Sequence, residues 1–241
     1  MPARLWNSLL RPLLLGHRGL RLRGLPRLNS TAPRENSLAA FEYALSQGCD
    51  GFEFDVRHTR DGRNVVWHDP EFHGRKIAAT DYAELIGRDR GCLSCLEEVL
   101  WRFGSRAYLD IELKVAGYEE VIAAALRQSP PQRGFVVSSF LPEALSRMYN
   151  IADQIPLGYI CEERAMLARS THLPIKVFLP RHDFVSPSLM EEVHQRGQQI
   201  MTWTVNSPRR MKQLATWGVD GLMSDDPELL VRTIGPSSVC E

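Results

Sequence analysis

The chain carries no surplus of charge: 29 lysines and arginines balance 29 aspartates and glutamates over 241 residues. A neutral chain has no overall field to gather nucleic acid or an anionic bilayer. Affinity for an anion must then arise at a local site, and nucleic acid is not expected as a partner. Long apolar runs are missing too. A helix needs about 20 apolar residues to span a bilayer, whereas the N-terminal run is broken by Arg11-Pro12 before Leu13-Leu14-Leu15, with no small-residue cleavage site after it. Stable membrane insertion is not expected, and a cytoplasmic location follows; an uncleaved signal or a misassigned start codon are the alternatives. Cysteine is sparse and odd in number: Cys49, Cys92, Cys95, Cys161 and Cys240 are too scattered for a disulfide framework. Cys92-Leu-Ser-Cys95 has the spacing of half a zinc site, but no second pair completes it, so both are read as reduced thiols at the start of a helix. No internal repeat is visible, and no G-x-G-x-x-G follows the first apolar run, which argues against a doubly wound dinucleotide sheet.

What is present is an ordinary globular composition, 44% apolar and 24% charged, at a length that suits one buried core, so a single domain over residues 1–241 is expected. Apolar, β-rich runs recur at Leu13–Gly16, Gly51–Val56, Asn64–His68, Ala107–Leu113, Phe135–Ser138, Leu157–Cys161, Lys176–Leu179, Ile200–Val205 and Gly221–Ser224. Amphipathic helical segments lie between most of them: Ser37–Ser46, Tyr118–Gln128, Pro142–Tyr149, Glu162–Ser170, Pro187–Arg196 and Pro208–Trp217. This alternation predicts parallel strands with helical crossovers. The second and third strands break the rule, because only Arg57–Arg63 separates them and Asp61-Gly62 is a hairpin turn signal. Setting the returning strand aside leaves the eight βα units that close a parallel barrel. The fold class is therefore α/β: a (β/α)8 TIM barrel with a small β-hairpin extension after the second strand. Leu20–Arg34, rich in Arg, Pro, Gly and Asn, reads as a long loop at the carboxyl-terminal face, either a functional lid or a variable insertion.

Charge sits at the ends of strands that are otherwise apolar. His17-Arg18 follow the first strand, Glu53 and Asp55 lie in the second, and Asp110, Glu112 and Lys114 share one face of the fourth. Inward carboxylates gathered at one barrel mouth call for a cation, and oxygen ligands alone favour Mg2+ or Ca2+. A two-residue turn at Asp61-Gly62 would set Asp55 opposite His68, with Cβ atoms roughly 4.5–5.5 Å apart, bringing His68 to the edge of that site. Two histidines beside a cation suit acid–base work, and Arg18 and Lys114 suit a phosphoryl group.

At these residues the sequence becomes recognisable: Gly16-His17-Arg18-Gly19, Arg34-Glu35-Asn36-Ser37, Gly51-Phe-Glu53-Phe-Asp55-Val56, Val65-Val-Trp-His68-Asp69, Leu109-Asp-Ile-Glu112-Leu-Lys114, Trp203-Thr-Val-Asn206 and Met223-Ser-Asp-Asp-Pro227. The chain resembles the glycerophosphodiester phosphodiesterase family. The resemblance implies that Glu53, Asp55 and Glu112 ligate one divalent cation, Mg2+ or Ca2+. It makes His17 and His68 the acid–base pair, with Arg18 also in the catalytic set; Arg18 and Lys114 hold phosphate, and Trp203 walls the substrate site. The activity implied is hydrolysis of a small-molecule glycerophosphodiester to glycerol phosphate and an alcohol. Lysophospholipase D-like or lyase action on a lipid, and a silent phosphodiester-binding barrel, are the rival readings. Glu35 is read as a supporting residue, Arg34 replaces the family's proline before it, and the segments after Arg18 and after Asp69 depart from the family pattern. The departures leave the headgroup open, as the sequence leaves the oligomeric state.

Overall fold

The computed structural model describes residues 11–21, 33–89, 93–163 and 172–235. In chain order, β1 (Leu13–Gly16), α1 (Leu38–Ser46), β2 (Gly51–His58) and β3 (Asn64–Val66) come first. An excursion follows, built of β4 (Glu71–Phe72), β5 (Arg75–Lys76), α2 (Tyr82–Asp89) and α3 (Leu96–Phe103). The remainder is β6 (Tyr108–Leu113), α4 (Glu119–Gln128), β7 (Phe135–Ser139), α5 (Pro142–Ile151), β8 (Leu157–Cys161), β9 (Val177–Pro180), α6 (Pro187–Gln195), β10 (Gln199–Thr202), α7 (Pro208–Trp217), β11 (Gly221–Ser224) and α8 (Pro227–Ile234). The parallel strands β1, β2 and β6 to β11 pair in sequence, and β11 returns to β1, so the barrel closes as expected.

Period-two alternation divides the residues of each strand between two cores. Phe52, Phe54 and Val56 of β2 point outward to α1 and α3, where Phe41 stacks on Phe52 with centroids 4.2 Å apart and Phe103 meets Phe52 edge-on at 5.1 Å. Truncating Phe52 to alanine would cost about 3–5 kcal/mol, since nothing can refill the gap. Inside the barrel, Leu13, Leu15, Val136, Ile160, Leu179 and Met223 form a second apolar cluster. Gly51 is required where β2 meets β6, because a Cβ there would lie 1.9 Å from the Tyr108 carbonyl oxygen. The helices start where local chemistry dictates. The Ser37, Ser186 and Asp226 side chains accept from the backbone N–H groups of Ala40, Leu189 and Leu229, and proline opens α5, α6, α7 and α8.

The β2–β3 hairpin is antiparallel as expected, but its register is shifted. Val56 faces Val66 and His58 faces Asn64, so Asp55 stands opposite Trp67, whose N–H donates to the Asp55 carbonyl at 3.0 Å. The cause is the turn. Thr59 N–H donates to the Arg63 carbonyl at 3.0 Å, which leaves a three-residue loop, Arg60–Gly62, with Gly62 at φ +79°. The strand stops at Val66, two residues short of the expected end, and the carbonyl of His68 is held by Arg57 Nε at 2.7 Å. The excursion carries its own small core of Val65, Phe72, Ile77, Leu85 and Leu93 under Trp67 and Tyr82. Most of the expected loop Leu20–Arg34, most of the expected helix Glu162–Ser170, and Cys92 lie outside the described residues. Cys49, Cys95 and Cys161 are free thiols, and burial pushes Cys49 up to about 12, which makes it inert. Among the described residues, no helix is long and apolar enough to cross a membrane.

Candidate active site

The alternation that sends Phe52 and Phe54 outward sends Glu53 and Asp55 into the barrel. Parallel pairing with β6 then sets Glu53 beside Asp110 and Asp55 beside Glu112. Ligand oxygens of Glu53, Asp55 and Glu112 lie within 4.8 Å of one another, and all three residues are buried. Asp110 does not join them. It sits two residues earlier on β6 than Glu112 and accepts a hydrogen bond from Ser138 Oγ at 2.5 Å.

Lys114 Nζ lies 2.5 Å from Glu112 Oε1 and 3.3 Å from Asp55 Oδ1, while Arg18 Nε lies 3.2 Å from Asp55 Oδ2. Two cations do not satisfy four buried carboxylates. Burial, reinforced by Asp55 and Glu112, raises Glu53 well above the usual carboxylate range. Burial likewise pushes Glu112 up to about 7, with Asp55 adding to the effect, and Asp110 up to about 7. Asp55 moves the other way, because the upward pull of burial is outweighed by Arg18, Lys114 and His68 and by the Asn36 amide. Among the described residues, Glu53 Oε1 has no hydrogen-bond partner, and Asp55 Oδ1 has only the nearby Lys114 ammonium. Buried carboxyl oxygens left in this state fit a hard divalent cation, whose charge would favour their ionised form, and the donor set is all oxygen. The cluster could hold a metal ion, and the three residues named from the sequence are the ones that compose it.

His17 and His68 line the same cavity of about 340 Å³ at the carboxyl-terminal mouth, together with Arg18, Glu53, Glu112, Lys114 and Trp203. His17 Nε2 lies 3.8 Å from Glu53 Oε2, and its Nδ1 lies 2.6 Å from Asp225 Oδ1. His68 Nδ1 lies 2.7 Å from Asp69 Oδ1; burial lowers its pKa, against the opposing pull of Asp55 and Asp69. Trp203 packs edge-on to Phe140 at 5.5 Å and donates from Nε1 to the Leu179 carbonyl at 2.9 Å. That bond fixes the indole in the apolar part of the lining, beside Ile160, Leu179 and Met223.

Three supporting residues carry more than the sequence reading gave them. Asn36, at φ +57°, donates from Nδ2 to Asp55 Oδ2 at 2.7 Å and accepts from Asp55 N–H at 3.2 Å. Glu35 bridges Arg18 at 3.5 Å and Arg21 at 3.0 Å, tying the cavity-lining arginine to the start of the loop. Asp225, just after β11, is the buried partner of His17. All three stand inside motifs visible in the sequence, but spacing alone gives no sign of which side chain each one meets.

This geometry is shared with known proteins. The profile of the Glycerophosphoryl diester phosphodiesterase family matches residues 17–229. A glycerophosphodiester phosphodiesterase of Caldanaerobacter subterraneus subsp. tengcongensis is 27% identical over 93% of this chain and 98% of its own. Another, from Bacillus altitudinis, is 30% identical over 82% of this chain and 91% of its own. An Oleispira antarctica phosphodiesterase, solved in complex with the product sn-glycerol-3-phosphate, superposes with a TM-score of 0.75 at 26% identity, covering 92% of this chain and 96% of that one. With barrel, acidic cluster and sequence in agreement, the chain belongs to the glycerophosphoryl diester phosphodiesterase family and is a phosphoric diester hydrolase.

Proposed function

We propose that this enzyme hydrolyses glycerophosphodiesters to glycerol phosphate and an alcohol, with His17 and His68 as the proton-transfer pair and one Mg2+ or Ca2+ held by Glu53, Asp55 and Glu112. The observation that carries the reading is that both imidazoles line one cavity with Glu53 and Glu112 of the acidic cluster and with the two cations beside it, Arg18 and Lys114. A divalent cation there supplies Lewis acidity to a phosphoryl oxygen and lowers the pKa of a neighbouring hydroxyl.

The chain's own residues do the rest. Arg18 and Lys114 place positive charge where the phosphoryl group gains negative charge in the transition state. One histidine accepts the proton of the attacking hydroxyl through its free nitrogen, and the other returns a proton to the departing alkoxide. Trp203 and Phe140 give the cavity an apolar wall, with the Phe140 ring packed over Lys114 Nζ at 5.7 Å. A hydroxyl of the substrate's glycerol and a water molecule are both chemically competent attackers. A trapped cyclic phosphate product would identify the former.

The test is release of glycerol phosphate from glycerophosphocholine, read through a coupled dehydrogenase with and without EDTA. Turnover in the presence of Mg2+ or Ca2+ and its loss in chelator are expected; full turnover in excess chelator would rule out the cation. A second reading, action on a lysophospholipid, is favoured by the apolar lining of Phe140, Ile160, Leu179, Trp203 and Met223. Competition between glycerophosphocholine and its monoacyl counterpart measures that preference directly.

A further inference from the structure

The geometry points to Asp225, itself oriented by Asn206, as the positioning residue that fixes which nitrogen of His17 carries the proton. The backbone N–H of Asp225 can only donate, and it meets the Asn206 side chain at 2.9 Å. The atom facing it must therefore be Oδ1, which also accepts from Ser224 Oγ at 2.9 Å. With Oδ1 so committed, Nδ2 of Asn206 is left to donate to Asp225 Oδ2 at 2.7 Å. The other carboxylate oxygen of Asp225, Oδ1, lies 2.6 Å from His17 Nδ1, and both side chains are buried. A carboxylate accepts only, so Nδ1 of His17 carries a proton, and in the neutral ring the lone pair is at Nε2, on the side of Glu53, 3.8 Å away. The chain of polarity thus runs from a main-chain amide through Asn206 and Asp225 to the imidazole.

The inference rests on the reading of His17 as a proton-transfer residue, and two isosteric changes should act on the tautomer in opposite directions. In Asp225→Asn, the Asn206 amide still donates toward position 225, so the new side-chain amide there must turn its oxygen to Asn206 and its NH2 to His17. That arrangement forces the proton onto Nε2, the wrong tautomer for accepting one. In the exchanged pair, Asn206→Asp with Asp225→Asn, the new carboxylate at position 206 still accepts from the main-chain N–H and from Ser224. Its second oxygen now accepts from the new amide at position 225, which frees that amide's oxygen to accept from His17 Nδ1. Polarity is restored with every heavy atom in place.

The experiment measures kinetics on glycerophosphocholine and 15N imidazole shifts of His17, both in the Mg2+-loaded protein. Asp225→Asn should lose about 1,000- to 10,000-fold in kcat, the scale of a wrong-tautomer substitution in a serine protease triad, with KM within a few-fold. Its shifts should report Nε2–H. The exchanged pair should return to Nδ1–H and regain at least about tenfold in kcat over Asp225→Asn. Either a single variant that keeps the Nδ1–H form, or an exchanged pair still in the Nε2–H form, overturns the assignment. If Asp225→Asn does not fold, the exchanged pair alone decides by its tautomer. If both tautomers change as expected while kcat stays native, the positioning holds and the reading of His17 as a proton-transfer group is what fails.

Discussion

His17 and His68 serve one cavity, yet the segments that hold them are built to different standards. His17 follows β1 inside the closed barrel, and its partner Asp225 is buried and bonded twice more through Asn206. His68 lies beyond the end of β3 on the hairpin extension, its side chain is 36% exposed, and its partner Asp69 is 66% exposed. A third imidazole completes the comparison: His58 on β2 is buried, stacks on Tyr118 at 3.9 Å, and its Nδ1 has no hydrogen-bond partner among the described residues. The three show that burial and partnership are separate variables. A buried ring with a locked carboxylate has one defined tautomer, a half-exposed ring beside a solvated carboxylate can exchange protons with water, and a buried ring without an acid is held neutral.

The largest expected effect acts on both histidines of the cavity at once. Removing the divalent cation should lower turnover by about 1,000-fold or more, because its charge is worth several kcal/mol to the transition state. Mg2+ or Ca2+ titrated back should restore it. Unequal residual rates in His17→Ala and His68→Ala backgrounds after chelation would show that the cation serves one side only.

Next come the histidines themselves. His17→Ala and His68→Ala should each lose roughly 100- to 10,000-fold, and the double variant far less than the product. Their stabilities should part company. His17→Ala takes the imidazole away from buried Asp225, at a cost of about 1–3 kcal/mol, whereas His68→Ala on the exposed side should stay within about 0.5 kcal/mol. Urea titration separates the two. A diester with a p-nitrophenolate leaving group should rescue whichever variant lacks the general acid.

His58 offers a test by pH. Burial lowers it from 6.5 to about 4. Because the folded value lies below the unfolded one, its contribution is complete above about 6.5 and is lost as pH falls toward 4, levelling off below. The loss is on the order of 3 kcal/mol. Unfolding free energies from urea titration of the native chain and His58→Gln across that window should diverge by that amount; parallel curves would mean that the ring finds a partner when charged.

The smallest effect is assigned to Asp69→Asn. An exposed ion pair is worth about 0–1 kcal/mol, so this variant should lose less than about tenfold in kcat, in contrast to its buried counterpart. A loss comparable with that of Asp225→Asn would erase the distinction between the two sides.

The barrel was legible because its signals are periodic: apolar runs, Ser-Pro starts and the alternation that puts Glu53 and Asp55 on one face all follow from local geometry. The hairpin was read correctly in kind and wrongly in register, since Asp61-Gly62 fits a two-residue turn as well as the three-residue loop it occupies. His68 nevertheless reaches the cavity, carried there by the chain beyond β3 and not by facing Asp55. Asp110 looked equivalent to Glu112 from the strand pattern, and only the register with β2 separates them. Asn36 and Asp225 were invisible as partners for a simpler reason: they meet Asp55 and His17 across 19 and 208 residues of sequence. No spacing rule spans such distances. Of the excursion, the helix start after Cys95 was read and is α3, whereas β4, β5 and α2 were missed, the strands being two residues long.

The poorly satisfied oxygens of Glu53 and Asp55 reach beyond the chemistry of the site. A ligand that binds only the folded chain adds RT ln(1 + [L]/Kd) to its stability, about 2.7 kcal/mol at a hundredfold excess over Kd. A divalent cation that neutralises those oxygens is such a ligand, so the melting temperature should rise with cation concentration even without substrate. In a cell short of the ion, more of the chain would stand unfolded and open to proteases, and enzyme abundance would fall together with enzyme turnover.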